Sequence, residues 1–130
     1  MKDEIVKEWF ERGRHDFETA KILINNDVYY DVIMFLLEQA VEKYIKGYLI
    51  FNGWKLKKIH DIEMLLTEAM EFDRSFEKYL DAGRMLIAFY YETRYPPGPI
   101  PEISREEVVK ILNLVEEVIS KIRSEVDLKD

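Results

Sequence analysis

Apolar residues recur along this chain at intervals of three and four, the spacing that lines side chains along one face of an α-helix, and nowhere alternate with period two over a strand's length. Four interruptions divide the pattern into five segments, which predicts an all-α fold with helices near residues 3–25, 30–52, 61–72, 75–94 and 104–126. In the first, Val6, Trp9, Phe10, Gly13, Phe17, Ala20 and Ile24 share a side, and Gly13 allows a neighbour to approach closely. Asn25, Asn26 and Asp27 end it as turn formers. The second carries a wider arc of Ile33, Leu36, Leu37, Ala40, Val41, Tyr44 and Tyr48, which predicts a central helix touching several others. Its polar remainder is Glu38, Gln39, Glu42, Lys43 and Lys46, and Asn52-Gly53 is its stop.

Asp61 is placed to cap a short third helix carrying Ile62, Leu65, Leu66 and Ala69. The fourth stripe, Phe76, Tyr79, Leu80, Gly83, Leu86, Ile87 and Tyr90, reaches Arg94 on the same line. The prolines of Tyr95–Pro101 lack amide donors and cannot continue it. The last helix opens on a capping box, Ser104 with Glu107, and a hydrophobic staple, Ile103 with Val108. Short connections favour antiparallel neighbours, so the expected architecture is one domain over residues 1–130, an antiparallel up-and-down bundle of four to five helices. Phe10, Phe17, Leu36, Ala40, Tyr44, Leu80, Ile87, Leu112 and Ile119 are its expected core. Met85 and Phe89 lie opposite the fourth stripe, flanked by Asp81 and Glu92, and suit the surface of a homodimer.

Composition narrows the chemistry. Zero cysteines exclude disulfides, thiolate metal sites and a cysteine nucleophile. A net charge of −7 argues against nucleic-acid binding over the whole surface and leaves room only for a local basic patch. No apolar run approaches the length of a membrane span, and the start resembles neither a secretory signal nor a transit peptide, so a cytoplasmic protein is expected. High Lys, Glu and Arg content with a single glutamine, Gln39, leans towards a heat-adapted source. A di-metal carboxylate centre would need Glu-x-x-His pairs, but Arg12 precedes His15 by three residues and Lys57 so precedes His60. No phosphate loop, nucleophile elbow or His-Glu-x-x-His is present, and no cofactor or metal is expected.

Three clusters remain. Glu42, Lys43 and Lys46 line the polar arc of the second helix, where Glu42 and Lys46 have the favourable i,i+4 order of a solvated face. Lys55, Lys57, Lys58 and His60 stand beside Trp54, suiting either a phosphate with a stacked base or a loop kept basic for solubility. Arg94, within Tyr90-Tyr91-Glu92-Thr93-Arg94-Tyr95-Pro96, continues an apolar line and must find a carboxylate, an aromatic face or a ligand anion. His15 falls opposite its helix's stripe, as a solvated histidine would.

The run Glu38-Gln39-Ala40-Val41-Glu42-Lys43-Tyr44-Ile45-Lys46-Gly47, then Gly53, then His60-Asp61-Ile62 with Leu65-Leu66, and finally Tyr91 with Arg94-Tyr95-Pro96 resembles the HEPN domain family (higher eukaryotes and prokaryotes nucleotide-binding) from about Val6 to Ile122. The resemblance implies a four- or five-helix antiparallel bundle, frequently dimeric. For small prokaryotic members it implies a minimal nucleotidyltransferase as partner, in toxin–antitoxin-like pairs. Many relatives are metal-independent ribonucleases whose motif is an Arg followed after four to six residues by a His. Here those positions after Arg94 hold Pro99, Ile100 and Pro101, which cannot carry a proton near neutral pH. The reading is therefore a protein that binds a nucleotide or RNA through Arg94, Tyr91, Tyr95, His60, Asp61, Lys43 and Lys46, without the usual ribonuclease motif. An RNA-cleaving toxin and a purely structural dimer are the alternatives.

Overall fold

Capping chemistry starts the helices where the sequence places it. In the computed structural model, which describes residues 1–90 and 94–128, Ser104 and Glu107 exchange side chain-to-backbone bonds in a capping box at the start of α5, Arg105–Glu125. Asp61 accepts from the backbone amides of Glu63 and Met64 and opens α3, Ile62–Ala69. Asp73 does the same through Ser75 for a 3₁₀ helix, Arg74–Tyr79, that runs into α4, Leu80–Ile87. The two long N-terminal helices, α1 (Lys2–Leu23) and α2 (Tyr30–Phe51), have no side-chain cap. They depend on each other's packing.

Contacts between α1 and α2 run in opposite senses: Lys2 with Phe51, Phe10 with Gly47, Gly13 with Tyr44 and Asp16 with Lys43. Two glycines allow this close approach. A Cβ on Gly13 would stand 2.7 Å from the Tyr44 ring, and one on Gly47 2.6 Å from the Phe10 ring. Phe10 and Tyr44 stack in the space so defined, centroids 5.2 Å apart.

After α2 the chain turns at Gly53, whose φ of +93° suits glycine, and residues 54–60 travel back along α2 before α3 begins. The register shows this return: His60 meets Glu42, and twelve residues later Phe72 meets Tyr48, so α3 descends in the same sense as α2. The next leg rises, with Phe76 beside Tyr48, Tyr90 beside His60 and Arg94 over Phe35. Finally α5 descends again, so that Val115 shares a small apolar crevice with Val41 while Glu125 reaches Tyr48. The fold is the expected all-α bundle, and its consecutive helices alternate in sense except α2 and α3, which run the same way because the return leg between them, residues 54–60, is not helical. Among the described residues there is no strand, and no helix is long and apolar enough to cross a membrane.

Most of the expected core is buried, including Phe10, Phe17, Ala40, Tyr44, Leu112 and Ile119, while Leu36, Leu80 and Ile87 are half-buried at its margin. The fourth segment departs furthest from its pattern. Instead of one helix over 75–94, a 3₁₀ turn precedes a two-turn α4, because Phe76 and Tyr79, three apart and eclipsed in 3₁₀ geometry, both enter the core. At its far end Phe89 and Tyr90 donate to the carbonyls of Leu86 and Ile87, again three residues back. Phe89 thereby follows Leu86 inward and is 5% exposed, which removes it from the dimer surface expected of it; only Met85 remains partly exposed there. Tyr91, one of the expected site residues, lies outside the described residues.

Candidate functional site

Phe35, Glu38, Glu42 and Lys46 recur at three and four residues along one line of α2. Because α1 covers this helix from one side and α3 and α4 pack on it from another, the polar members of that line are not solvated as their i,i+4 spacing suggested. Glu38, Glu42 and Lys46 are 0%, 6% and 3% exposed. Lys46 Nζ donates to Glu42 Oε2 at 2.8 Å and lies 5.7 Å from the centre of the Trp9 ring, so its charge has both an anion and an aromatic face. The same Glu42 oxygen is 3.0 Å from His60 Nδ1.

His60 is the outward end of this array. Its side chain is 43% exposed, and one ring face stacks on Tyr90 with centroids 4.7 Å apart. With Nδ1 engaged by a buried carboxylate, Nε2 is the nitrogen presented away from the protein. The Arg94 guanidinium lies 4.5 Å from the centre of the Phe35 ring, while its residue as a whole is exposed. It has thus taken the aromatic option among those its position allowed. It does so from the segment beyond α4 rather than from a continuing helix. Phe35 and Glu42 are seven residues apart, about 10 Å along the helix, so Arg94 and His60 mark two points on one face of the protein.

Glu38 has the most perturbed environment of the array. Burial, reinforced by the negative charge of Glu42, pushes its carboxyl up to about 9, so it is protonated at neutral pH. A carboxylic acid is then set directly behind a carboxylate–histidine pair. The arrangement supplies a hydrogen-bonding imidazole, a cation and two aromatic rings at the surface, above one negative charge held by a lysine. No group of three metal-binding side chains occurs among the described residues.

The remaining expected site residues are not gathered here. Lys43 leaves the line and pairs with Asp16 of α1. The Asp61 carboxylate is occupied in capping α3, which fixes the backbone just after His60. Tyr95 is exposed in the proline segment. Trp54 is half-buried against the core, and Lys57 stands over its ring and pairs with Glu68. His15 is solvated next to Glu11. A groove of about 590 Å³ opens between Tyr30, Asp31 and residues 101–107, but Asp31, Glu102 and Glu107 give it the wrong sign for phosphate. Phe35, Glu38 and Tyr90 are the members that sequence reasoning missed. The one signal for them was a pair of glutamates four residues apart on a helix too apolar to have a fully wet side.

Residues 6–125 match the HEPN domain family. The chain belongs to that family. Two solved structures share the HEPN chain's fold: TT1696 from Thermus thermophilus, at 24% identity and a TM-score of 0.77, covering 93% of this chain and 98% of its own, and ST0689, an archaeal HEPN homologue, also at 24% identity, with a TM-score of 0.73 and coverages of 94% and 98%. At that identity the likeness is one of fold. No curated protein matches the HEPN chain in sequence.

Proposed function

We propose that this HEPN protein binds the phosphate of a nucleotide or of a single-stranded RNA segment on the face formed by His60, Tyr90 and Arg94, and that a minimal nucleotidyltransferase is its protein partner in a toxin–antitoxin-like pair. The observation that carries the binding reading is His60 itself: a buried glutamate–lysine pair holds its Nδ1, Tyr90 supports its ring, and Arg94 stands on the same helical line. An imidazole and a guanidinium anchored seven residues apart on α2, about 10 Å of helix rise, suit a nucleotide, with the arginine able to grip phosphate in two bonds. The protein's overall charge of −7 keeps such binding local.

Titration of the protein with a short oligouridine RNA and with ATP tests this directly. Arg94→Ala should weaken binding by about 1.5–3 kcal/mol, the worth of a charge-assisted contact, with little loss of stability because the side chain is exposed. Undiminished affinity in a folded Arg94→Ala protein would retire the site.

A second reading, metal-independent RNA cleavage, is favoured by one feature: a buried carboxylate orienting an exposed histidine is the arrangement general acid–base chemistry requires. It would place in His60 the role that Pro99, Ile100 and Pro101 cannot fill. Cleavage of total RNA in EDTA, lost in His60→Ala, is the expected result for that reading. The homodimer is also proposed, now without Phe89 in its surface, and sedimentation of the full chain measures it.

A further inference from the structure

Two buried carboxyl oxygens on α2 have no hydrogen-bond partner among the described residues, Oε2 of Glu38 and Oε1 of Glu42. The two residues are four apart on one line of α2, the spacing at which side chains on a helix meet. The other oxygen of each is already supplied: Glu38 Oε1 accepts from Gln39 Nε2 at 2.7 Å, and Glu42 Oε2 accepts from Lys46 at 2.8 Å and faces His60 Nδ1 at 3.0 Å. Carboxylates only accept, so two ionised groups would leave both free oxygens orphaned in a dry site. A single proton on Glu38 Oε2, donated to Glu42 Oε1, satisfies both at once.

We propose that Glu38 and Glu42 form a buried relay behind His60: protonated Glu38 braces Glu42 as the array's one negative charge, and Glu42 fixes the imidazole with its proton on Nδ1 and its Nε2 towards the ligand. This rests on the reading of His60 as a ligand-facing group, and it names how that group is set. Among the described residues, charged and titratable groups approach the array from several elements. From α2 come Glu38, Glu42 and Lys46; Asp61 is turned into the cap of α3; Tyr90, after α4, stacks on the ring; Arg94 stands further along the line over Phe35. Glu42 and Lys46 cancel, so the relay itself sets no net charge behind the ring. Glu38 and Glu42 touch no ligand and are positioning residues.

The chain contains only two histidines, and they meet their carboxylates through opposite ring nitrogens: His15 faces Glu11 through Nε2, His60 faces Glu42 through Nδ1. Long-range proton–nitrogen correlation spectra of the ¹⁵N-labelled full chain at pH 8 should therefore show one Nε2–H and one Nδ1–H imidazole, assigned by His15→Gln. Glu38→Gln, which mimics the protonated acid, should keep the His60 pattern, and Glu42→Gln should abolish its Nδ1–H preference. An Nε2–H tautomer for His60 in the parent protein, or a pattern unchanged in Glu42→Gln, overturns the relay; the parent spectrum decides even if Glu42→Gln fails to fold. Titration with inorganic phosphate separates the two claims. An Nδ1–H His60 whose resonances ignore phosphate leaves the relay standing and removes the ligand-site reading alone.

Discussion

Two polar clusters tie α2 to later parts of the chain, and they are built from the same residue types to opposite effect. At one end, Lys121 of α5 donates to Asp73 at 2.6 Å and to Glu125 at 3.0 Å, Tyr48 of α2 donates to Glu125 at 2.8 Å, and Ser75 gives Asp73 both its amide and its hydroxyl. These charged side chains are 20–28% exposed, so water shares in their solvation. The bond from Lys121, together with those from the amide and hydroxyl of Ser75, holds Asp73 well below the usual carboxylate range. Behind His60, by contrast, two glutamates and a lysine are sealed from water and two carboxyl oxygens go unfilled unless one glutamate keeps a proton. Both clusters carry two carboxyl groups to one lysine. The difference lies in donors and hydration, and it shows that a polar cluster serves purely as a tie when every acceptor is supplied, whereas an undersupplied one retains a proton or awaits a ligand.

The sharpest way to break this contrast is to remove each lysine in turn. Lys46→Met should cost about 3–5 kcal/mol in urea unfolding, since it leaves Glu42 buried without its cation, while Lys121→Met should cost about 1 kcal/mol or less. Equal losses would show that the two clusters do not differ as described. Next in size is a pH effect. Glu38 binds its proton more tightly folded than unfolded, so its contribution is complete below about pH 4.5 and is lost as pH rises towards 9. Parent stability should fall as pH rises across that window, and Glu38→Gln should flatten the profile measured at pH 6 and 9. Asp73 has the opposite sign: its contribution is present above the usual carboxylate range and is lost on acidification, so Asp73→Asn should shift the acid-unfolding midpoint upward to a smaller extent. Smallest of all, Tyr48→Phe should cost no more than Lys121→Met, because Glu125 keeps Lys121 when the hydroxyl is gone. A loss comparable to that of Lys46→Met would mean that the outer cluster is as tightly constrained as the inner.

Where the chain's own neighbours set the outcome, the sequence was sufficient. The capping box of Ser104 and Glu107, the Asp61 cap, the close approach at Gly13 and the apolar faces of α1, α2 and α5 are all local consequences of side-chain reach and a 3.6-residue period, and they are legible before any fold is known. Three features of the fold and the candidate site were not. Glu42 and Lys46 read as a wet i,i+4 pair because a helical period reports which residues share a face, not which helix will later cover it. Phe89 read as exposed because the tightening to three-residue turns after Ile87 depends on Leu86 and its neighbours already being packed. His60 and Arg94 are 34 residues apart in the chain, and the return leg 54–60 is what sets the histidine beside Glu42 instead of at the far end of α2. The sequence thus determined an all-α chain of the HEPN kind and the starts of its helices. The tertiary structure alone decided which charges lost their water, because desolvation is a property of the partner's surface, and with it which histidine became the outward end of a buried array.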